Sequence, residues 1–296
     1  MTMEVAAPTL ASVTKRTRAS AWRRMMHSRS GLVGLLLTAI VAMAAAAAVL
    51  GLTPHDPIAQ APIDRLQGPS PTYWFGTDQF GRDIFSRSVA GVANSLTVAI
   101  VAVFLSAVIG TLAGVSAGFF EGRVRAPILA ITNVLFAFPP LLLALALASA
   151  FARTWFTIAV AIAIVYIPIF VRVTRGPVLS LRESDFVKAA RVLGFPTSRI
   201  LLRHVLPNIL PIIIVQVTLS MSWAVLTEAS LSFLGLGTPP PAPSLGSMVL
   251  DARTLVDLAW WTMAAPGAMI VTFVVGLNLL GDGLRDALDP RQGASG

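Results

Sequence analysis

Residues 182–208 read RESDFVKAARVLGFPTSRILLRHVLPN, a charged island between two long apolar runs. Arg182, Glu183, Asp185, Lys188, Arg191, Arg199 and Arg203 fall inside it, together with His204. One charge at the centre of a spanning helix costs roughly 2.5–3.5 kcal/mol on the insertion scale, so this density belongs in water between two spans. The segment also reads as folded. Phe186, Ala189, Ala190 and Leu193 recur at helical spacing, and Gly194 stands where a helix ends in a left-handed residue. Pro196-Thr197 opens a second short helix with Ile200, Leu201 and Val205 on one side, and Pro207 closes it. Two short helices meeting at a glycine make a knob. The simplest use of a knob between spans is to dock a soluble partner.

The flanking runs set the class. The chain has 296 residues, of which 55% are hydrophobic and 12% charged, with a mean hydropathy of +0.78. Soluble chains carry about 25% charged residues, so this is a membrane protein. Cysteine is absent, which excludes disulfides, thiolate metal sites and cysteine nucleophiles.

The expected fold is all-α, with six transmembrane helices over residues 31–281, a basic tail at 1–30 and a second tail at 282–296. Residues 31–52 form an uncharged run too long for a signal-peptide core, so a retained first helix is expected. Residues 53–72 are proline-rich and read as loop. In Gly76-Thr77-Asp78-Gln79-Phe80-Gly81-Arg82-Asp83, Thr77 or Asp78 can cap a helix. Phe80, Ile84, Phe85, Val89 and Val92 would share its apolar face. Such a segment lies along the membrane surface or packs as a buried elbow. Residues 96–120 are the second span; Ser106, Gly110, Gly114 and Gly118 fall every four residues on one face, a helix-packing stripe. The third span, 126–152, contains Pro139-Pro140, which bends it; the bend either borders a pathway or simply shapes the bundle, and the second is the simpler reading. The fourth span is 154–171, the fifth 205–227 and the sixth 258–280. Residues 231–258 form an excursion with a short helix near 245–255, and Trp260-Trp261 sits at an interfacial position.

Six spans put both termini on one side, and charge says which. Of 22 basic residues, only Arg65, Arg82, Arg87, Arg153 and Arg253 fall opposite the termini. The termini and a central loop over 172–206 are therefore expected in the cytoplasm, with 53–95 and 231–258 outside. The net charge of +8 is topology and calls for no nucleic-acid partner, although the lipid bilayer offers it anionic headgroups.

Much chemistry is missing. The only lysines, Lys15 and Lys188, follow no glycine, so there is no phosphate-binding loop, and ATP-driven work needs another subunit. His27, His55 and His204 are scattered and lack metal-ligand spacing. Polar residues at membrane depth reduce to Asn133, Gln216, Asn278 and Glu228, too few for a catalytic dyad or a proton relay. That scarcity favours a conduit driven from outside, with no cofactor in this chain. Glu228 is a functional candidate by its depth, although headgroup water can reach the end of a span. With Asn133 and Gln216 it is a candidate for a gate or substrate path.

Ala189-Ala190, Gly194 and Leu206-Pro207 resemble the EAA loop of ABC importer permeases, E-A-A-x3-G-x9-I-x-L-P. Lys188 replaces the usual Glu and His204 the usual Ile; the turn glycine and the terminal proline remain. Residues 76–87 resemble the GTDxxGRDxxSR signature of dipeptide, oligopeptide and nickel permeases. Glu228 to Gly235 resembles E-x-x-LSFLG, and Gly281 to Arg291 resembles the GDxLRDxLDPR ending of the C-type subunit. The resemblance implies a type I ABC importer fold. It also implies four partners: a second, B-type permease, two ATP-binding-cassette domains that hold ATP and magnesium, and an extracytoplasmic substrate-binding protein. Asp185, Lys188, Ala189, Ala190, Gly194, Arg199, Arg203 and Pro207 would then couple to the ATPase. Peptides are the implied cargo, with nickel or another small solute as the alternative. A stand-alone secondary transporter remains a further alternative.

Overall fold

A computed structural model describes residues 25–26 and 28–288. Lys15, His27, most of the basic tail and the Asp289-Pro290-Arg291 end of the last motif lie outside the described residues. In chain order the helices are α1 (Arg29–Val49), α2 (Ile84–Phe119), α3 (Arg125–Phe136), α4 (Pro140–Ala150), α5 (Trp155–Arg182), α6 (Asp185–Val192) and α7 (Thr197–Ile200). A π-helical turn (Leu201–Val205), α8 (Leu206–Phe233), α9 (Leu245–Ala252) and α10 (Trp261–Leu288) follow. Among the described residues there is no β-strand; one isolated bridge joins Thr77 and Asp83.

The small-residue stripe fixes the architecture. A Cβ added to Gly110 would meet Phe170 Cβ at 2.5 Å and the Ile167 carbonyl at 2.7 Å. At Gly114 it would strike Thr174 and Val171, and at Gly118 Val178 and Arg175. The paired positions advance together, so α2 and α5 run parallel in backbone contact. Hydrocarbon tails are as apolar as leucine, so such close van der Waals packing is what joins helices in a bilayer. Parallel α2 and α5 also force a return. Between Phe119 and Trp155 the chain must go back across the thickness that both helices span. The only segments available are α3 and α4, joined at a 96° bend. With five long apolar helices, the broken pair makes six passages.

Several boundaries differ from expectation, each for a local reason. α2 does not begin at Thr77 or Asp78. Asp83 caps it by accepting hydrogen bonds from the Ser86 amide (2.9 Å) and hydroxyl (2.6 Å), while Phe80 stays in the preceding turn. There is no separate surface helix: α2 is continuous for 36 residues, and Ile84, Val89 and Val92 are buried in its first turns. The elbow is thus the N-terminal end of the span. The double proline does not merely bend the third span but ends α3 and starts α4, with Pro140 at the first helical position. α5 runs on through Arg172 and Arg175 to Arg182. Pro207 does not close the knob. The π turn before it carries the Leu206 N–H to the Leu201 carbonyl, and the wider turn accommodates the proline, so the helix continues from Thr197 to Phe233. Trp260 is exposed, but Trp261 turns inward, packs on Gly76 and donates to the Thr77 carbonyl at 3.3 Å.

The far end, opposite the knob, is closed by residues 53–83. Arg87 donates to the Pro57 carbonyl at 2.9 Å and lies 3.5 Å from Asp78, which Arg82 also meets at 2.6 Å. Tyr73 donates to Asp64 at 2.9 Å, and that bond pushes the phenol above its usual pKa range.

The α2–α5 contact generates a direct prediction. Gly114→Val forces the helices apart at a cost of about 1–3 kcal/mol. The thermal unfolding midpoint in detergent should fall, whereas Gly122→Val, which meets nothing within 4 Å, tests the strain of a positive-φ turn alone. Equal effects from both would contradict backbone contact as the organising feature.

Candidate functional site

The knob begins at Ser184, and Asp185 stands in the first turn of α6, favourable for the helix dipole. The end of α6 is set by three backbone bonds. Leu193 N–H donates to Ala189 O, Gly194 N–H to Arg191 O at 3.0 Å, and Phe195 N–H to Ala190 O at 3.1 Å. The last two form a Schellman motif, which needs a left-handed residue, and Gly194 supplies it with φ 74°. The Ala-Ala-x3-Gly spacing is therefore a helix stop in which Ala190 supplies both a carbonyl and a buried methyl.

The knob has its own apolar core, separate from the main bundle core. Val187, Ala190, Ile200 and Val205 pack with Val115 and Phe119 of α2, Val178 of α5 and Ile209 of α8. This differs from the expected stripe. Phe186, Ala189 and Leu193 face outward, and Val187 and Ala190 face in. The outward set is apolar in water: Val192 is 88% exposed, Leu193 71% and Phe186 44%. These exposed apolar side chains on a polar loop make the tip the candidate docking surface.

Charged groups brace the knob from its rim. Arg182 pairs with Glu121 at 2.9 Å and Glu183 at 3.0 Å, tying α5 to the α2–α3 turn. Arg191 lies over the Phe119 ring at 4.8 Å and Arg199 over Phe195 at 4.8 Å. His204 stacks on Phe195 with ring centroids 6.5 Å apart, so the residue replacing isoleucine still serves as packing. Lys188 is exposed and 3.8 Å from Glu183. The lysine thus takes no part in the knob's core. Arg203 and Pro207 lie exposed at the root of α8.

The three candidate path residues are not brought together. Glu228 is 1% exposed, not bathed by headgroup water. Its carboxylate is met by hydroxyls from Ser95 of α2 (2.5 Å), Ser232 (2.6 Å) and Ser244 before α9 (3.2 Å). These bonds tie α2, α8 and α9. Ala229, its neighbour, lines an open apolar groove with Leu141, Leu226, Phe233 and Ile270, so Glu228 stands behind that wall. Gln216 donates to Ser220 at 3.0 Å within α8. Asn133 is exposed on α3. Ser232 was legible as the serine one turn after Glu228; Ser95 and Ser244 carry no sequence signal that links them to it.

A Glu228→Ala change strands three buried hydroxyls, at about 1–3 kcal/mol each. We expect the unfolding midpoint to drop by about 10 °C or more, with Glu228→Gln recovering more than half. Identical losses in the two variants would show that side-chain volume, and not hydrogen bonding, is what matters there.

Residues 110–293 match the family model described as binding-protein-dependent transport system inner membrane component. The chain is 42% identical over 279 residues to the dipeptide transport system permease protein DppC of Alkalihalophilus pseudofirmus, covering 93% of this chain and 91% of that one. It is 39% identical over 276 residues to the di/tripeptide transport system permease protein DppC of Pseudomonas aeruginosa, covering 91% of each. Identity to the glutathione transport system permease protein GsiD of Pectobacterium atrosepticum is 41% over 275 residues, covering 91% of this chain and 90% of that one. Among solved structures, the inward-facing MetNI methionine ABC transporter is similar in fold. Its TM-score is 0.56 at 19% identity, over 68% of this chain and 96% of that one.

Proposed function

The chain belongs to the family of binding-protein-dependent transport system inner membrane components, and from that premise we propose that it is the C-type permease of a peptide importer. It is a multi-pass inner-membrane subunit of an ABC importer. Its cargo is dipeptides or oligopeptides, a reading supported by the names of relatives at about 40% identity over nine-tenths of the chain.

The observation that carries the coupling role is the knob: an exposed apolar tip on a core shared with α2, α5 and α8. Its partners are two ATPase domains, which bind ATP and magnesium, a B-type permease and an external binding protein. The knob end and both termini lie in the cytoplasm, as the distribution of basic residues favours. When the ATPase domains close, the tip moves as one body with the ends of three spans. Asp185, Lys188, Arg199 and Arg203 present charge around the tip, and Ala189, Ala190, Gly194 and Pro207 shape it. Residues 53–95 and the 231–258 excursion serve binding-protein contact and the outer gate.

The test is purification of the tagged chain from native membranes in mild detergent. A second permease and ATP-hydrolysing subunits should co-purify. Val192→Asp with Leu193→Asp should stay in the membrane yet lose about ten-fold or more of ATP-driven peptide uptake. Undiminished uptake in the double variant would contradict the coupling role.

A further inference from the structure

The loop that closes the far end holds one apolar side chain out into solvent. Ile63 is 97% exposed, in the middle of the 3₁₀ turn Pro62–Asp64. Its surroundings in sequence are polar: Gln60, Asp64, Arg65 and Gln67. Beside the turn lies an open recess of about 260 Å³, lined by Gln60, Pro62, Arg65, Gln79 and Phe80. Pro62 and Arg65 flank Ile63 and both line the recess, so Ile63 stands at its edge.

The element is rigid. Residues 61–67 and 76–81 run antiparallel and are pinned together. Ala61 N–H donates to the Phe80 carbonyl at 3.2 Å, Leu66 N–H to the Asp78 carbonyl at 3.1 Å and Thr77 N–H to the Gln67 carbonyl at 2.9 Å. Leu66 sits in the left-handed region at φ 54°, which glycine favours and leucine rarely adopts. Such an outlier persists only where its surroundings hold it, and outliers concentrate where backbone geometry serves binding. Phe80 is fixed as well. Its N–H donates to the Asp78 carboxylate at 2.8 Å, and the Arg82 guanidinium, itself paired with Asp78, lies 4.6 Å from its ring centroid.

Charge in the recess is one-sided. Asp64 is already occupied, accepting from the Gln67 side-chain amide at 2.7 Å and from Tyr73 at 2.9 Å. Arg65 is exposed, and the ion pairs among the described residues do not include it. The recess therefore presents an uncommitted guanidinium and two glutamine side chains beside an apolar tip.

We propose that Ile63 and the Arg65 recess form a preformed docking element for the extracytoplasmic binding protein. The matching surface is an apolar socket with a carboxylate at its rim. This rests on the import reading above, which puts the ATPase at the knob and the binding protein at the opposite end. A guanidinium fork suits a carboxylate, and a lone apolar tip suits a pocket. Lipid fits less well, because a helix lying on a membrane buries a continuous apolar face, whereas Ile63 is bracketed by polar residues around a concave recess. Rigidity serves a transient contact, since little entropy is lost on docking.

The test reconstitutes the complete importer in proteoliposomes and follows ATP hydrolysis against the concentration of its binding protein, loaded with alanyl-alanine or tetra-alanine. Arg65→Glu and Ile63→Ser should each raise the half-saturating concentration about ten-fold while the rate at saturation is retained, and Arg65→Lys should recover much of the loss. Added salt should weaken half-saturation in the wild type more than in Arg65→Gln. In a chain without cysteine, Ile63→Cys carrying a thiol-linked benzophenone should give a photo-adduct with the binding protein. Wild-type half-saturation in Arg65→Glu, or a loss confined to the rate at saturation, would overturn the proposal. So would an Ile63→Cys adduct with lipid or with the second permease in place of the binding protein. A wild-type importer whose ATP hydrolysis ignores the binding protein with either peptide would overturn the import reading and this inference with it.

Discussion

The parallel contact of α2 with α5 is the constraint from which the rest of the architecture follows. Two helices that touch backbone to backbone over about two turns cannot slide independently, because Gly110, Gly114 and Gly118 leave no room between them. Running the same way, they oblige the chain to cross back between them, and the double proline shapes that crossing. Their ends at Phe119 and Val178 then form the socket in which the knob's core is seated. A displacement at the knob is thus delivered to two locked spans together, and to α8 through the unbroken helix that leaves the knob at Thr197.

The two ends of the bundle are built on different physics. At the knob end a small apolar core is wrapped in cation–aromatic contacts, Arg191 on Phe119 and Arg199 on Phe195, with the half-exposed Arg182–Glu121 pair at its rim. At the far end the ties are directional and buried. Glu228 draws hydroxyls from three elements, Asp83 holds Ser86, and Arg87 reaches across to Pro57. A buried polar group that loses its partner costs more than an apolar contact that shifts, so the far end resists local change.

Much of this was legible in the sequence because it rests on local rules. The Ala-Ala-x3-Gly stop and the every-fourth-residue stripe each follow from a spacing, and the long apolar runs from a count. What was not legible depends on contacts between distant residues. The stripe of Phe186, Ala189, Ala190 and Leu193 has helical periodicity, but periodicity alone does not say which of these the same chain covers, as it does Ala190, and which are left exposed. The Glu228 cage joins residues more than a hundred positions apart. Pro207 reads as a helix stop until the π turn before it makes room, and the start of α2 shifts to Asp83 because that carboxylate finds Ser86. Lys188 and His204 depart from the family's loop pattern without disturbing the fold, since one is exposed and the other packs on an aromatic ring.

The central claim is that the exposed tip of the knob is the seat of an ATPase subunit and moves with it. Val192→Cys, in a chain otherwise free of cysteine, places one thiol at that tip. Cross-linking in native membranes with a short bifunctional reagent should join this chain to an ATP-hydrolysing subunit, with a yield that changes between nucleotide-free and ATP-trapped states. No adduct with such a subunit, or an adduct whose yield ignores nucleotide, would contradict the account.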